Sequence, residues 1–194
     1  MSAQKVVDYF RRYGNNEYGD LGENITQTEH AIQAGLAAKN NQAPVAIEIA
    51  AFLHDIGHLI GIDQKSETMD QYGIKDHEEI TRSYLKECGF SAIIYETAGN
   101  HVKAKRYQSS QAEYYSKLSK ASQETLRRQG GILSKQEQEE FEKEPYFQES
   151  LEVRKYDDLA KDSNWLGNNP NKTEIINNYL DQYQNLIENY LKIV

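Results

Sequence analysis

The sequence has 194 residues, with 22 Lys and Arg against 30 Asp and Glu, a formal net charge of −8. The length suffices for one domain with a sizeable buried core, the acidic balance argues against a nucleic-acid partner, and the single cysteine, Cys88, excludes an intrachain disulfide framework. The opening MSAQKVVDYFRRYG carries no apolar signal-peptide core, and no run approaches 18 consecutive apolar residues; the expectation is a soluble, cytoplasmic protein with no membrane span.

Apolar residues recur at helical spacing nearly throughout, and no segment alternates as a strand would. This predicts an all-α chain, one domain over residues 1–194. The first helix, over 2–14, places Val6, Val7, Phe10 and Tyr13 near one face, and YGDLGEN (18–24) follows as a loop. A second helix, 26–40, has Thr26 or Thr28 as its N-cap. The run APVAIEIAAFLHDIGH (43–58) reads as one buried helix with Pro44 in its first turn. Residues 76–89 start on Asp76 and stop at Gly89, and residues 91–107 form a further helix capped by Ser91. Two short helices, 112–118 and 121–131, come next, the second ended by Gly130 and Gly131. Residues 134–161 open with a Ser134 to Glu137 capping box, and their charged first half predicts a solvated helix or a flap. An amphipathic helix over 173–194 closes the chain.

The chemistry concentrates in HDIGH, residues 54–58. A buried carboxylate such as Asp55 is costly unless paired or metal-bound. His30, His54, His77 and His101 fall on successive predicted helices, 24, 23 and 24 residues apart. A helix of ~16 residues plus a loop of ~6 has about this period, which is compatible with four imidazoles at one depth in a bundle. A metal ion compensates such a convergence, and bundle cores commonly hold one. His54 and Asp55 point about 100° apart on an ideal helix, so both reach metal only if two ions sit there or the helix end distorts. His58, one turn beyond His54 on the same face, suits either a ligand or a substrate contact, and Gly57 permits close approach.

These residues, with GENITQTEHAIQAG, AAFLHDIGH, DHEEI, NHVKAKRY, LSKASQETLRRQGG and VRKYDDLAKD between residues 22 and 162, give a sequence that resembles the HD-domain superfamily of metalloproteins. Within it the resemblance is to the mixed-valent diiron oxygenases, the PhnZ-type 2-amino-1-hydroxyethylphosphonate dioxygenases and related 1-hydroxyphosphonate oxygenases. It implies an HD-domain helical bundle with two irons in its core, Fe(II) and Fe(III), held by His30, His54, Asp55, His77, His101 and Asp157, with Asp55 bridging. Asp158 is the rival for the last position; Asp157 is preferred because the family's aspartate lies four residues before a lysine, here Lys161. The resemblance further implies that Lys105, Ser122 and Arg154 bind a phosphonate, that Glu23 binds the substrate's amino group, and that His58 touches the substrate. Lys105 lies one turn after His101 and Arg154 one turn before Asp157, a register in which cations suit an anionic ligand.

The implied reaction uses O2 to cleave the C–P bond of a 1-hydroxy-2-aminoethylphosphonate-type substrate, giving inorganic phosphate and a carboxylic acid such as glycine. One position departs from the family. A tyrosine three residues before the glutamate is replaced here by Asp20, and Tyr18 is out of register. Either the gating or the substrate then differs, and an extra acid suits a bulkier cation such as trimethylammonium. The alternative function on this scaffold is a metal-dependent phosphohydrolase acting on a small phosphate ester, whose metals activate water. Glu23, placed for an amine, favours the oxygenase.

Overall fold

Helix signals dominate the sequence, and a computed structural model, which describes residues 3–15 and 25–193, realises them as helices throughout. In chain order these are α1 (Ala3–Tyr13), α2 (Gln27–Asn40), α3 (Val45–Leu53), α4 (Ile56–Gln64), α5 (His77–Glu87), α6 (Ala92–Gly99), α7 (His101–Gln108), α8 (Ala112–Lys117), α9 (Lys120–Arg128), α10 (Lys135–Phe141), α11 (Phe147–Leu159) and α12 (Lys172–Leu191). Between described residues one antiparallel bridge pairs Thr68 with Ile74. The chain is all-α, as its pattern predicts.

Local chemistry explains where the helices begin. Thr26 caps α2 in a capping box: its hydroxyl accepts from Glu29 N–H, and Glu29 returns a bond to the Thr26 main chain. Ser134 and Glu137 do the same for α10. Asp76 and Ser91 occupy cap positions without capping. Asp76 sits in the left-handed region at φ 54°, and Ser91 Oγ bonds Tyr190 Oη at 2.7 Å.

The core is built around α3, which packs against α2, α6, α11 and α12, while α4 lies against α1 and α5. Phe52 is its centre. Its ring stacks on Tyr183 at 4.0 Å and 1°, and on Phe10 at 4.7 Å and 29°. The stretch Val45–Gln64 matches a membrane span in length and mean hydropathy (1.6), but 83% of that window is buried inside the protein. Its apolar surface is therefore occupied by the protein's own core. The charged segment after Ser134 is not a free flap: Phe141 is fully buried beside Ala104 and Leu133 and meets Phe147 edge-on at 5.0 Å. The helix expected over 134–161 is two, α10 and α11, separated by a turn in which Tyr146 takes φ 63°.

Phe52 is fully buried between the rings of Phe10 and Tyr183. Phe52→Ala is expected to destabilise the fold by about 3–5 kcal/mol, to be measured by urea denaturation.

Candidate metal centre

Both helical runs that were expected to carry a histidine mid-helix are interrupted at that histidine. From Val45 the chain is helical to Leu53, turns at His54 and Asp55, and resumes at Ile56, with Asp55 at φ −104°, ψ 10°. Thr81 of α5 satisfies main-chain groups across this break. Its hydroxyl donates to the His54 carbonyl (3.1 Å) and accepts from Gly57 N–H (3.0 Å). α5 comes so near that a Cβ on Gly57 would lie 1.9 Å from the His77 carbonyl oxygen. The single helix expected over 43–58 is thus two, and the break removes the 100° divergence of neighbours on a continuous helix. Similarly, the helix expected over 91–107 is α6 and α7. They part at Asn100, whose side chain accepts from Arg82 Nη2 (3.1 Å) and donates to Ser150 Oγ (3.3 Å).

Four imidazoles are aimed inward by one device. Nδ1 of His30, His54, His77 and His101 meets a main-chain carbonyl: Ala160 O at 2.8 Å, Ala51 O at 2.8 Å, Ile74 O at 3.2 Å and Ala98 O at 2.7 Å. A carbonyl only accepts, so each Nδ1 carries a proton, and in the neutral ring each Nε2 keeps a lone pair. The Nε2 atoms then pair off, His30 with His54 at 3.2 Å and His77 with His101 at 3.1 Å. Lone pairs so close repel one another unless a cation lies between them. Two nitrogens bound to an ion at about 2.1 Å, roughly at right angles, stand about 3 Å apart, so each pair suits one metal ion.

The carboxylates complete two centres. Asp55 Oδ2 lies 3.6 Å from His30 Nε2 and 3.3 Å from His54 Nε2, while Oδ1 lies 3.3 Å from His77 Nε2 and 3.1 Å from His101 Nε2. One oxygen thus faces each histidine pair. Asp157 joins the first pair, 3.4 Å from His30 and 3.8 Å from His54. Asp55 Oδ1 and Asp157 Oδ1 are buried without a hydrogen bond, as expected of oxygens that face metal. Burial disfavours a charged His54, yet Asp55 and Asp157 outweigh it and raise its pKa to about 9. The two acids demand positive charge at this point, from protons or from metal. Asp158 is turned away, its carboxylate held by Arg154 and by the Tyr114 hydroxyl at 2.6 Å.

His58 is the exception among the five histidines. It is buried, stacked on His77 at 3.8 Å and 17°, but its Nδ1 accepts from the Ile74 N–H at 3.1 Å. Its free proton therefore sits on Nε2. Burial, reinforced by the neighbouring His77, keeps its pKa well below 6.5, so it stands as a neutral donor.

Cations flank the first centre. Arg154 is buried, donating to Asp157 Oδ2 at 2.6 Å, to Asp158 and to Tyr114 Oη at 2.8 Å. Its charge is paired with these two acids inside the protein. Lys105 is different. It is buried with its Nζ on the Thr125 hydroxyl at 3.0 Å, and among the described residues no carboxylate lies within salt-bridge distance. Burial first, then Arg154 and Lys161 against the pull of Asp157 and Asp55, lower its pKa to about 7. Ser122, one turn from Thr125 on α9, accepts from Lys161 Nζ at 2.9 Å. A cavity of about 750 Å³ lined by Tyr114, Ser119, Asp158 and Lys161 opens on this side, and Arg154 stands between it and Asp157.

Glu23 and Asp20 lie outside the described residues. Sequence reasoning missed Thr81, whose hydroxyl bonds main chain across the break at His54 and Asp55, and Ile74, whose main chain meets the His58 and His77 rings. It used Lys161 only as a marker for Asp157. The signal for Lys161 was available in its position one turn beyond that acid.

A buried His4Asp2 cluster in an all-α bundle is a metal site, and comparison with known proteins places it. The HD domain family model matches residues 28–159. Uncharacterized protein L432 of Acanthamoeba polyphaga mimivirus is 42% identical over 161 residues, 82% of this chain and 73% of that protein. The [1-hydroxy-2-(trimethylamino)ethyl]phosphonate dioxygenase (glycine-betaine-forming) of Leisingera caerulea is 38% identical, covering 78% of this chain and 76% of its own. The hydroxymethylphosphonate dioxygenase of Gimesia maris is 35% identical, with 82% and 79% covered. The chain belongs to the HD-domain family and, within it, to the phosphonate oxygenases.

The geometry separates the two neighbouring acids. Asp157→Asn is expected to lose metal, counted per chain by elemental analysis, while Asp158→Asn retains it. Because protons compete for the same Nε2 lone pairs, metal affinity should fall as pH drops below about 9, the His54 value.

Proposed function

We propose that the protein is a diiron oxygenase that uses O2 to cleave the C–P bond of a small 1-hydroxyphosphonate bearing an amino or trimethylammonio group, working in the cytoplasm. The products are inorganic phosphate and a carboxylic acid, glycine or its trimethylated form. The observation that carries this reading is the division of Asp55 between two histidine pairs. It supports one ion held by His30, His54, Asp157 and Asp55 Oδ2, and a second held by His77, His101 and Asp55 Oδ1. The second has fewer protein donors, which leaves room for the substrate. Histidine and carboxylate donors suit iron, and when bound the pair supplies the oxidation of C1 by O2.

The protein's own residues have narrower tasks. Lys105 supplies the buried positive charge that a phosphonate dianion complements. Ser122, whose oxygen already accepts from Lys161, has its hydroxyl proton left to donate to the phosphonate. Arg154 locks Asp157 and keeps unused N–H groups on both terminal nitrogens for the same anion. His58 donates its Nε2–H to the substrate. Glu23 binds the amine, and a second acid in the same segment, Asp20, favours the larger trimethylammonium. The Leisingera caerulea relative is named for such a substrate, and the Gimesia maris relative for one without an amine.

The test is oxygen consumption by anaerobically iron-loaded protein with 1-hydroxyphosphonates, and phosphate release measured in parallel. Phosphate released from simple esters under nitrogen would instead establish a hydrolase. Within the oxygenase reading, Lys105→Met should raise KM roughly 10- to 100-fold, as expected for losing a charged hydrogen bond. The ammonium is the binding form, and its population falls as pH rises through about 7. KM for the dianion should therefore rise above that pH, and Lys105→Arg, charged at every working pH, should abolish the rise.

A further inference from the structure

We propose that the segment 67–75 is the positioning element of this site: the main chain of Ile74 sets the ring protons of His58 and His77 in opposite senses, and Gly73 keeps the space in which the His58 ring stands. This rests on the reading above for what the two rings do, but not for how they are held.

Ile74 meets both rings. Its N–H donates to His58 Nδ1 (3.1 Å), and its carbonyl accepts from His77 Nδ1 (3.2 Å). An acceptor placed on one ring and a donor on the other leave His58 with Nε2–H and His77 with an Nε2 lone pair. The first can only donate to a substrate while neutral, and the second can bind metal. The rings are stacked at 3.8 Å, and Glu78 Oε2, 3.4 Å from His77 Nδ1, places a second acceptor on the same atom as the Ile74 carbonyl.

The loop is fixed from several sides. Thr68 bridges Ile74, Lys75 N–H donates to Glu67 O at 2.9 Å, and Met69 N–H donates to Gly73 O at 2.8 Å. Gly73 takes φ 93°, and a Cβ there would lie 2.6 Å from His58 Cε1. The Ile74 side chain is buried against Gly61 of α4, where a Cβ would come within 2.6 Å of Ile74 Cγ2. From outside, Arg128 of α9 donates to Asp70 at 2.9 Å and lies 4.4 Å over the Tyr72 ring. The helix that carries Ser122 therefore also grips this loop.

The two glycines allow the loop to be disturbed from opposite faces without altering any metal-facing side chain. The experiment uses the zinc-loaded, diamagnetic protein with ¹⁵N-histidine and reads each ring by long-range ¹H–¹⁵N correlation. In the wild type, one ring should carry its proton on Nε2 and four on Nδ1. Gly73→Ala and Gly61→Ala should each broaden or shift the His58 pattern and raise KM for a hydroxyphosphonate about tenfold, with bound metal unchanged. Gly61→Ala is helical and free of backbone strain, so it decides the matter if Gly73→Ala fails to fold. A wild-type His58 protonated on Nδ1, or a KM rise that tracks metal loss in Gly61→Ala, overturns the positioning role. A wild type that shows the expected ring pattern but turns over no hydroxyphosphonate overturns the functional reading and leaves the positioning role standing.

Discussion

Asp55 sits buried at the end of the most apolar helix of the chain, and an ionised carboxylate there is stable only if positive charge is brought to both of its oxygens. The rest of the site follows from that requirement. Four histidines supply Nε2 atoms to the two oxygens, two to each. Neutral rings turned this way bring lone pairs rather than charge, so the assembly remains incomplete without cations. Carbonyls behind every ring exclude the alternative in which the rings rotate and satisfy one another. The protein has spent main-chain acceptors on keeping the centre electron-rich, which favours metal over a closed hydrogen-bonded core.

The break in the helix at residues 54 and 55 makes this possible. On a continuous helix, adjacent side chains diverge, and His54 and Asp55 could not share a centre. Interrupting the helix exposes main-chain groups in the driest part of the molecule, where an unsatisfied one costs about 1–3 kcal/mol. Thr81 removes that cost by accepting on one side of the break and donating on the other. Gly57 lets α5 come close enough for it to do so. Function and stability are thus joined through a threonine that touches no proposed ligand side chain.

Much of this was legible in the sequence. The near-equal histidine spacing gave the convergence, since each predicted helix and loop has about the same length. HDIGH after an apolar run located the buried acid, whereas the choice of Asp157 over Asp158 came from the family resemblance and not from the residues themselves. The helix break was not legible, because the apolar pattern of residues 45–64 runs through it without a proline, and the interruption is satisfied by a threonine about 25 residues away. The orientation of His58 was hidden for the same reason: its partner is a main-chain N–H, which every residue but proline possesses. The pairing of Arg154 with both acids that follow it was not read from the sequence, because a register of three and four residues does not say which way the side chains turn.

That last point bears on selectivity. Arg154 is held by Asp157 and Asp158, so binding an anion adds to an ion pair already formed, and its contribution is chiefly geometric. Among the described residues the Lys105 ammonium meets only a threonine hydroxyl, so the cost of its burial would persist until an anion arrives. A neutral alcohol would leave that cost in place, whereas a phosphonate removes it and at the same time holds Lys105 in its charged form. On the proposed function, discrimination for the anionic end of the substrate would therefore lie more in the poorly compensated lysine than in the arginine beside Asp157. A buried charge deprived of its counterion in the free protein is the element best able to reject a ligand that does not bring one.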